Sequence, residues 1–311
     1  MRFAVISDIH GNWLSLQAVL QDCKGQNIDT YLFLGDYYGD SPMPNEVLAC
    51  VRNVSPAHYL LGNKEQRMME AQTEQADLLQ YSQYAPVRWN LENILPQHHA
   101  FIQSLPEKLT LCAGGHTLFL AHAAVQHFGN AATERISSHA FGKEFGTLYH
   151  NHNQYLQFVQ NTLNADADFV DMLHQMADGI YLFGHYHTQW HAQVGTKLFI
   201  NPGSCGLPLD FDATAACTIL DIDREVCITE RRVQYDVEAA VQMLQQSSLY
   251  RVAPLWHELS LMELSTAQEA VMPFLDYAQE RATAQGVTAR PFPDAYWQQM
   301  LVEYFAMKEW A

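Results

Sequence analysis

The chain has 311 residues, 48% of them hydrophobic and 16% charged, with 34 acidic against 17 basic residues for a formal charge of −17. That is the composition of a globular protein with enough apolar material for a sizeable core. No apolar run approaches the roughly 18 residues of a membrane span, and without a Lys/Arg cluster a broad nucleic-acid-binding surface is not expected. A small phosphorylated substrate remains compatible with this charge, because bound cations would invert the local field.

The N-terminus reads as a strand over Phe3–Ser7 instead of a secretory signal, so a cytoplasmic location is expected. A helix near Asn12–Cys23 follows, with Trp13, Leu16, Val19 and Leu20 on its apolar face. Next come a strand over Tyr31–Leu34, a helix near Asn45–Arg52 and a strand over Ala57–Leu61. Units of this length predict mostly parallel pairing through right-handed crossovers. Helices are expected through Glu65–Ser104, broken around Pro86 and Pro96, and then two strands, Leu109–Cys112 and Thr117–Ala121, joined by a Gly-Gly turn.

Residues 125–178 interrupt the strand series with a polar, His- and Asn-rich stretch carrying helical patterns at Gln154–Leu163 and Ala167–Met176. An excursion of this length is either a flap over a site or a surface feature. Strands resume at Ile180–Phe183, Trp190–Val194, Lys197–Ile200, Ala215–Ile222 and Val226–Arg232, the later ones spaced for antiparallel pairing. From Val237 the pattern turns helical: Glu238–Gln246, Glu258–Thr283 with a break expected at Pro273, and Asp294–Trp310. The tail could be an appendage, a lid or an oligomer surface, and its aromatics, Trp256 among them, read as packing residues. The six cysteines contain no CxxC pair and read as buried thiols.

Five apolar runs end in a residue that can hold a metal: Asp8 and His10, Asp36, Asn63, His122, and His185 with His187. A buried strand whose C-terminal end opens into a site has this appearance, and taken alone the pattern suggests one rim of one sheet. Singly, each residue has a plain structural role available, such as a helix cap or a hydrogen-bonded core histidine. Jointly, seven donors at matched strand ends point to a metal cluster. Imidazole among the donors favours Mn, Fe, Zn or Ni over Ca or Mg, with Mn or Fe preferred here. Asp36 has two oxygens and can bridge two divalent ions about 3.5 Å apart.

At these residues the sequence resembles the calcineurin-like metallophosphoesterases. The motifs stand as Asp8-Ile9-His10, Gly35-Asp36, Gly62-Asn63-Lys64-Glu65, His122 and Gly184-His185-Tyr186-His187. Leu34–Leu48 and Asn201–Asp210 further resemble the small bacterial phosphoesterase or serine/threonine-phosphatase branch. The resemblance implies an α/β fold, a four-layer αββα sandwich of two mixed sheets flanked by helices. It implies one metal held by Asp8, His10, Asp36 and His187, and a second held by Asp36, Asn63, His122 and His185. It also implies phosphoester hydrolysis by a metal-bridging hydroxide, with Asp36, Asn63, His122 and residue 64 in the catalytic set. The expected organisation is a metallophosphoesterase domain over 1–236, with 125–178 as an insert, and a helical extension over 237–311.

Position 64 departs from the family pattern, which has a histidine there, steadied by the following acid. With a pKa of about 10.4, lysine is a poor proton donor near neutrality. Lys64 is therefore expected either as a fixed positive charge against a phosphate or as a solvated partner of Glu65 or Glu46. Phosphoanhydrides and activated esters need leaving-group protonation least, which tilts the expected small phosphorylated molecule or nucleotide towards a nucleotide anhydride or activated ester and away from phosphoserine proteins. Asp40, Tyr37, Tyr38, His127, His139, His150 and His152 are candidates for the pocket border. The alternatives are a nucleotide pyrophosphatase or diadenosine-polyphosphate hydrolase, and a catalytically impaired metal-binding regulator. A homo-oligomer through the C-terminal helices is a further expectation.

Overall fold

Side-chain alternation along β1 (Arg2–Ile6) sets the layering. Phe3 and Val5 face one way, Ala4 and Ile6 the other, and both sets are buried in separate apolar clusters. A strand apolar on both faces needs cover on both sides. In the computed structural model, which describes residues 1–129, 135–145 and 151–308, that cover is a second sheet on one face and helices on the other.

The chain runs β1, α1 (Trp13–Lys24), β2 (Thr30–Phe33), α2 (Pro44–Asn53), β3 (Ala57–Tyr59), α3 (Asn63–Gln72), α4 (Ala85–Asn93) and α5 (Pro96–Gln103). It continues through β4 (Lys108–Ala113), β5 (His116–Ala121), the short α6 (Val125–Phe128) and α7 (Ser138–Ala140), α8 (His152–Ala165) and α9 (Ala167–Leu173). Then come β6 (Gly179–Leu182), β7 (Gln189–Val194), β8 (Lys197–Pro202), β9 (Ala215–Ile222) and β10 (Val226–Val233). One five-stranded sheet has the order β10-β9-β1-β2-β3, the other β4-β5-β6-β8-β7. β1, β2 and β3 are parallel, as are β5, β6 and β8, while the remaining neighbours pair antiparallel.

Val5, Leu32, Leu34, Leu118, Leu120, Ile180, Leu182 and Ile200 fill the space between the sheets. The outer face of the first sheet meets Leu16, Val19 and Cys23 of α1 and Val47, Leu48 and Val51 of α2. Tyr155, Val159 and Leu163, one α8 stripe at four-residue spacing, pack with Phe169 on Tyr181, Phe183 and Phe199 of the second sheet. The protein is thus a mixed α/β sandwich, two sheets flanked by helices. The donors expected on one sheet come from both: β1, β2 and β3 end in Asp8, Asp36 and Asn63, and β5 and β6 in His122 and His185. Two mixed sheets packed face to face bring their parallel strands out at one edge.

The C-terminal extension comprises α10 (Val237–Gln246), α11 (Ser248–Val252), α12 (Pro254–Thr266), α13 (Val271–Gln285) and α14 (Asp294–Lys308). The helix break expected at Pro273 lies at Ala267–Ala270 instead. Ala267 takes a left-handed conformation that ends α12, and Pro273 sits in the first turn of α13, where no intrahelical N–H bond is lost. Phe274, Trp297, Met300 and Tyr304 form the tail's own core, with Trp256 packed against it. Cys23, Cys205 and Cys217 are buried as expected, but Cys112 and Cys227 are exposed, each on an outermost strand of its sheet. No helix among the described residues is long and apolar enough to cross a membrane.

Candidate metal centre

Backbone hydrogen bonds lace the loops after β1 and β2 together. Asp8 N donates to Gly35 O (3.1 Å), and both Ile9 N and His10 N donate to Asp36 O (2.8 and 3.0 Å). Asp8, His10, Asp36, His185 and His187 all take positive φ, between 51° and 71°. Non-glycine residues rarely adopt that region, and it persists only where the surroundings over-determine it. Gly62 and Gly184 allow the loops to close: an added Cβ would lie 2.2 Å from Asp36 Oδ1 at the first and 1.9 Å from Ser7 Oγ at the second. Ser204 Oγ donates to Asp8 O (2.7 Å) and Asn201 Nδ2 to Gly184 O (2.8 Å), so the turn after β8 fastens the same loops.

These constraints gather Asp8, His10 and His187 into one group, and Asp8, Asp36 and His122 into a second. Asp36 faces both sides, with Oδ2 3.7 Å from His10 Nε2 and Oδ1 3.5 Å from His122 Nε2. Asn63 Oδ1 lies 2.9 Å from His122 Nε2 and 2.8 Å from His185 Nδ1. Asp8 uses Oδ2 to accept from His185 N (2.9 Å), while its buried Oδ1 has no hydrogen-bond partner among the described residues and lies 3.5 Å from His187 Nε2.

The donor chemistry tests whether a cation fits. His10 Nδ1 bonds Asp40 Oδ2 (2.7 Å), His122 Nδ1 bonds Leu34 O (2.9 Å) and His187 Nδ1 bonds Leu207 O (2.7 Å). Carboxylate and carbonyl oxygens only accept, so each Nδ1 carries the proton, and whenever the ring is neutral its lone pair is at Nε2. Two of these nitrogens, on His10 and His187, then stand 3.1 Å apart with the unpaired Asp8 oxygen beside them. Lone pairs converging in a buried space call for a positive centre, and metal-binding histidines commonly have their second nitrogen held in this way. Without a metal, protons answer that demand. Burial opposes a charge on His10, but its bond to Asp40 and the nearby Asp8 carboxylate win and push it up to about 9. Burial would likewise raise Asp8, yet His187, His10 and His122 hold it well below the usual carboxylate range.

The calcineurin-like phosphoesterase superfamily domain matches residues 1–225. The chain belongs to the calcineurin-like phosphoesterase superfamily. An uncharacterised protein of Methanocaldococcus jannaschii is 27% identical over 254 residues, covering 79% of this chain and 93% of that one. The structures of a metallophosphoesterase from Sphaerobacter thermophilus (TM-score 0.58, 19% identity) and a hypothetical protein from Pyrococcus horikoshii OT3 (TM-score 0.60, 18% identity) share the fold. Each covers 86% of this chain, over 100% and 99% of its own length respectively. Superfamily membership and the two donor groups together make this a metal-dependent phosphoester hydrolase with a dinuclear centre.

The centre opens into a cavity of about 530 Å³. Lys64 extends along its side with Nζ 2.9 Å from Asp40 Oδ2, so its partner is Asp40 and neither Glu65 nor Glu46. Burial opposes a charge on Lys64, but Asp40 and Asp36 outweigh it and raise its pKa further. Asp40 ties Lys64 to His10, and those two cations overcome burial to hold its carboxyl well below the ordinary range. Glu65 is spent on the backbone, accepting from Asp36 N, Tyr37 N and Gly62 N at 2.9 Å each. Burial, with repulsion from Asp36, pushes it up to about 7.

The other candidates divide. His139 lines the cavity. His127 instead packs edge-on to Tyr181 behind the second sheet, and His152 pairs with Glu230. Tyr37 is buried, its hydroxyl bonded to Leu60 O (2.9 Å). His150 lies outside the described residues. The sequence left open whether the C-terminal extension reaches the site; Trp256, Glu263, Glu269, Val271 and Met272 line the cavity with Ser137 and Ser138, and Ser138 Oγ donates to Glu269 Oε2 (2.7 Å). Helical spacing does not distinguish a residue that packs from one that also borders a cavity 200 residues earlier in the chain.

Proposed function

We propose that the protein hydrolyses a small phosphorylated molecule or nucleotide, with Asp8, His10, Asp36 and His187 holding one ion and Asp36, Asn63, His122 and His185 the other. What carries the reading is the split of Asp36, with Oδ2 towards His10 and Oδ1 towards His122. Such ions would bind phosphate oxygens, activate water and offset charge on the phosphoryl group. The nitrogen-rich donor set favours Mn or Fe, with Zn and Ni as alternatives. Within the chain, Asp40 orients His10, Leu34 O orients His122 and Leu207 O orients His187. Lys64 supplies a fixed positive charge at the cavity wall.

This reading takes 1–236 as the catalytic domain, 125–178 as an insert that helps close the cavity, and 237–311 as an extension that completes its far wall. By the motifs at Leu34–Leu48 and Asn201–Asp210 the chain resembles the small bacterial phosphoesterase or serine/threonine-phosphatase branch. A cytoplasmic location and a homo-oligomer through the C-terminal helices belong to the same reading. Purified protein is expected to hold two transition-metal ions per chain and to hydrolyse p-nitrophenyl phosphate or its bis ester with added Mn²⁺. Metal analysis finding a single ion held away from Asp36 would sink it. Bound metal without turnover on monoesters, diesters and anhydrides would favour the regulatory alternative.

A further inference from the structure

Past Lys64 the metal cavity adjoins a smaller bay of about 70 Å³, walled by Tyr38, Arg67, Met68, Val87 and Trp256. Asp40, Lys64 and Trp256 line both spaces, so a ligand in the large cavity can reach into the bay. The bay has room for a few waters or one phosphate-sized group. Its far wall is firm: the Trp256 ring packs on Trp297 (5.6 Å) and edge-on to Phe274 (6.3 Å).

The charges at its mouth are unevenly matched. Lys64 and Arg67 lie three residues apart, on one face of α3. Asp40 Oδ2 is shared between Lys64 Nζ and His10 Nδ1. Arg67 has no ion pair or side-chain hydrogen bond among the described residues. The acid one turn on, Glu70, is taken by Gln66 Nε2 (2.9 Å) and Gln75 Nε2 (3.1 Å). Arg67 is exposed at the edge of the bay, so in a chain carrying −17 its guanidinium is open to an anionic ligand that reaches there. A planar fork of N–H donors matches the oxygens of a phosphate. A wholly apolar group would leave that fork unused, and a bulky one would not fit.

We propose that this bay is the subsite for the second phosphate of a phosphoanhydride substrate, with Arg67 binding that phosphate and Lys64 standing between it and the phosphate on the metals. The proposal rests on the hydrolase reading above and narrows its substrate class to diphosphates and their derivatives, inorganic or nucleotide.

The test is equilibrium binding to Mn²⁺-loaded protein, comparing methylenediphosphonate with methylphosphonate. The diphosphonate is expected to bind at least about tenfold more tightly, the scale of one charge-assisted hydrogen-bond set. Arg67→Ala should erase most of that preference, and Arg67→Lys should keep part of it. Equal affinity for the two ligands, or a preference unchanged in Arg67→Ala, overturns the bay. Turnover is read separately: if monoesters, diesters and anhydrides all go unhydrolysed while the Arg67-dependent preference persists, the hydrolase reading fails and the bay stands. A third ligand, α,β-methylene-ADP, separates the sources. Tighter binding than methylenediphosphonate assigns a nucleotide, equal binding an inorganic anhydride, and Arg67 dependence supports the bay in both cases.

Discussion

The floor and the walls of the cavity are built on different principles. The floor is seven donors at the ends of five strands, locked by backbone bonds and positive-φ turns so that lone pairs meet. The walls come from α3, from the segment around Ser138 and from the C-terminal helices, and their side chains are set by helix packing. The floor therefore tolerates no displacement, whereas the walls can vary and select. The contrast makes the floor the determinant of chemistry and the walls the determinant of substrate.

The largest effect should follow from removing the residue that both halves of the floor share. Asp36→Ala is expected to release both ions and lower hydrolysis at least about a thousandfold, since metal charge stabilisation is worth several kcal/mol. Elemental analysis alongside p-nitrophenyl phosphate assays checks this. Retention of one ion with substantial turnover would mean that the two groups are independent, and the floor is not a single unit.

Proton linkage gives the next test. In metal-free protein His10 is raised from its ordinary 6.5 to about 9. The stability this contributes is fully present below pH 6.5 and is lost as pH rises through 9, on the order of 3 kcal/mol in all. A metal requires His10 neutral and so replaces the proton. Thermal unfolding in chelator should fall between pH 6 and 9, and the stabilisation by Mn²⁺ should be larger at pH 9 than at pH 6. A metal-free protein with flat stability over that range would contradict the converging lone pairs.

Asp40 joins floor to wall, because one oxygen serves His10 and Lys64. Asp40→Ala should weaken metal affinity about 10–100-fold, the usual cost of losing the group that orients a metal-binding histidine. Metal titration measures the floor, and Arg67-dependent diphosphonate binding measures the wall. Loss of the second without the first would show that Asp40 serves the wall alone.

Floor and walls also differ in how far the sequence revealed them. A strand end announces itself, because an apolar run followed by Gly and Asp, Asn or His has few other causes. Asp8, His10, Asp36, Asn63, His122, His185 and His187 were read as candidate donors, and the structure brings them close to one another. Their division between two sheets was not legible, since parallel strands look alike in either sheet. Trp256 was read as a packing residue, and it does pack, on Trp297. Its second face, towards the cavity, depends on where α12 docks, which no local pattern encodes. The break in the tail was misjudged for a related reason: Pro273 is a visible signal, whereas left-handed Ala267 is silent in sequence.

The smallest effect expected is also the one that bears most directly on substrate choice. Lys64→His restores the residue type that the family pattern has at this position. A general acid typically contributes about 10²–10⁴-fold, mainly for poor leaving groups. Here the gain should be much less, roughly tenfold on an alkyl phosphate and none on p-nitrophenyl phosphate. The reason is Glu65: its oxygens are committed to three backbone amides, so it is not free to steady a neighbouring imidazole. The substitution also removes the Nζ bond to Asp40 and should weaken diphosphonate binding. Comparing kcat/KM for the two esters, with diphosphonate affinity alongside, reads all three expectations in one variant. A full hundredfold gain on the alkyl ester would show that the wall retains the machinery of a monoesterase and lacks only its acid. A loss on every substrate would show that the lysine charge is integral to the wall, and with it the preference for a leaving group that is itself a phosphate.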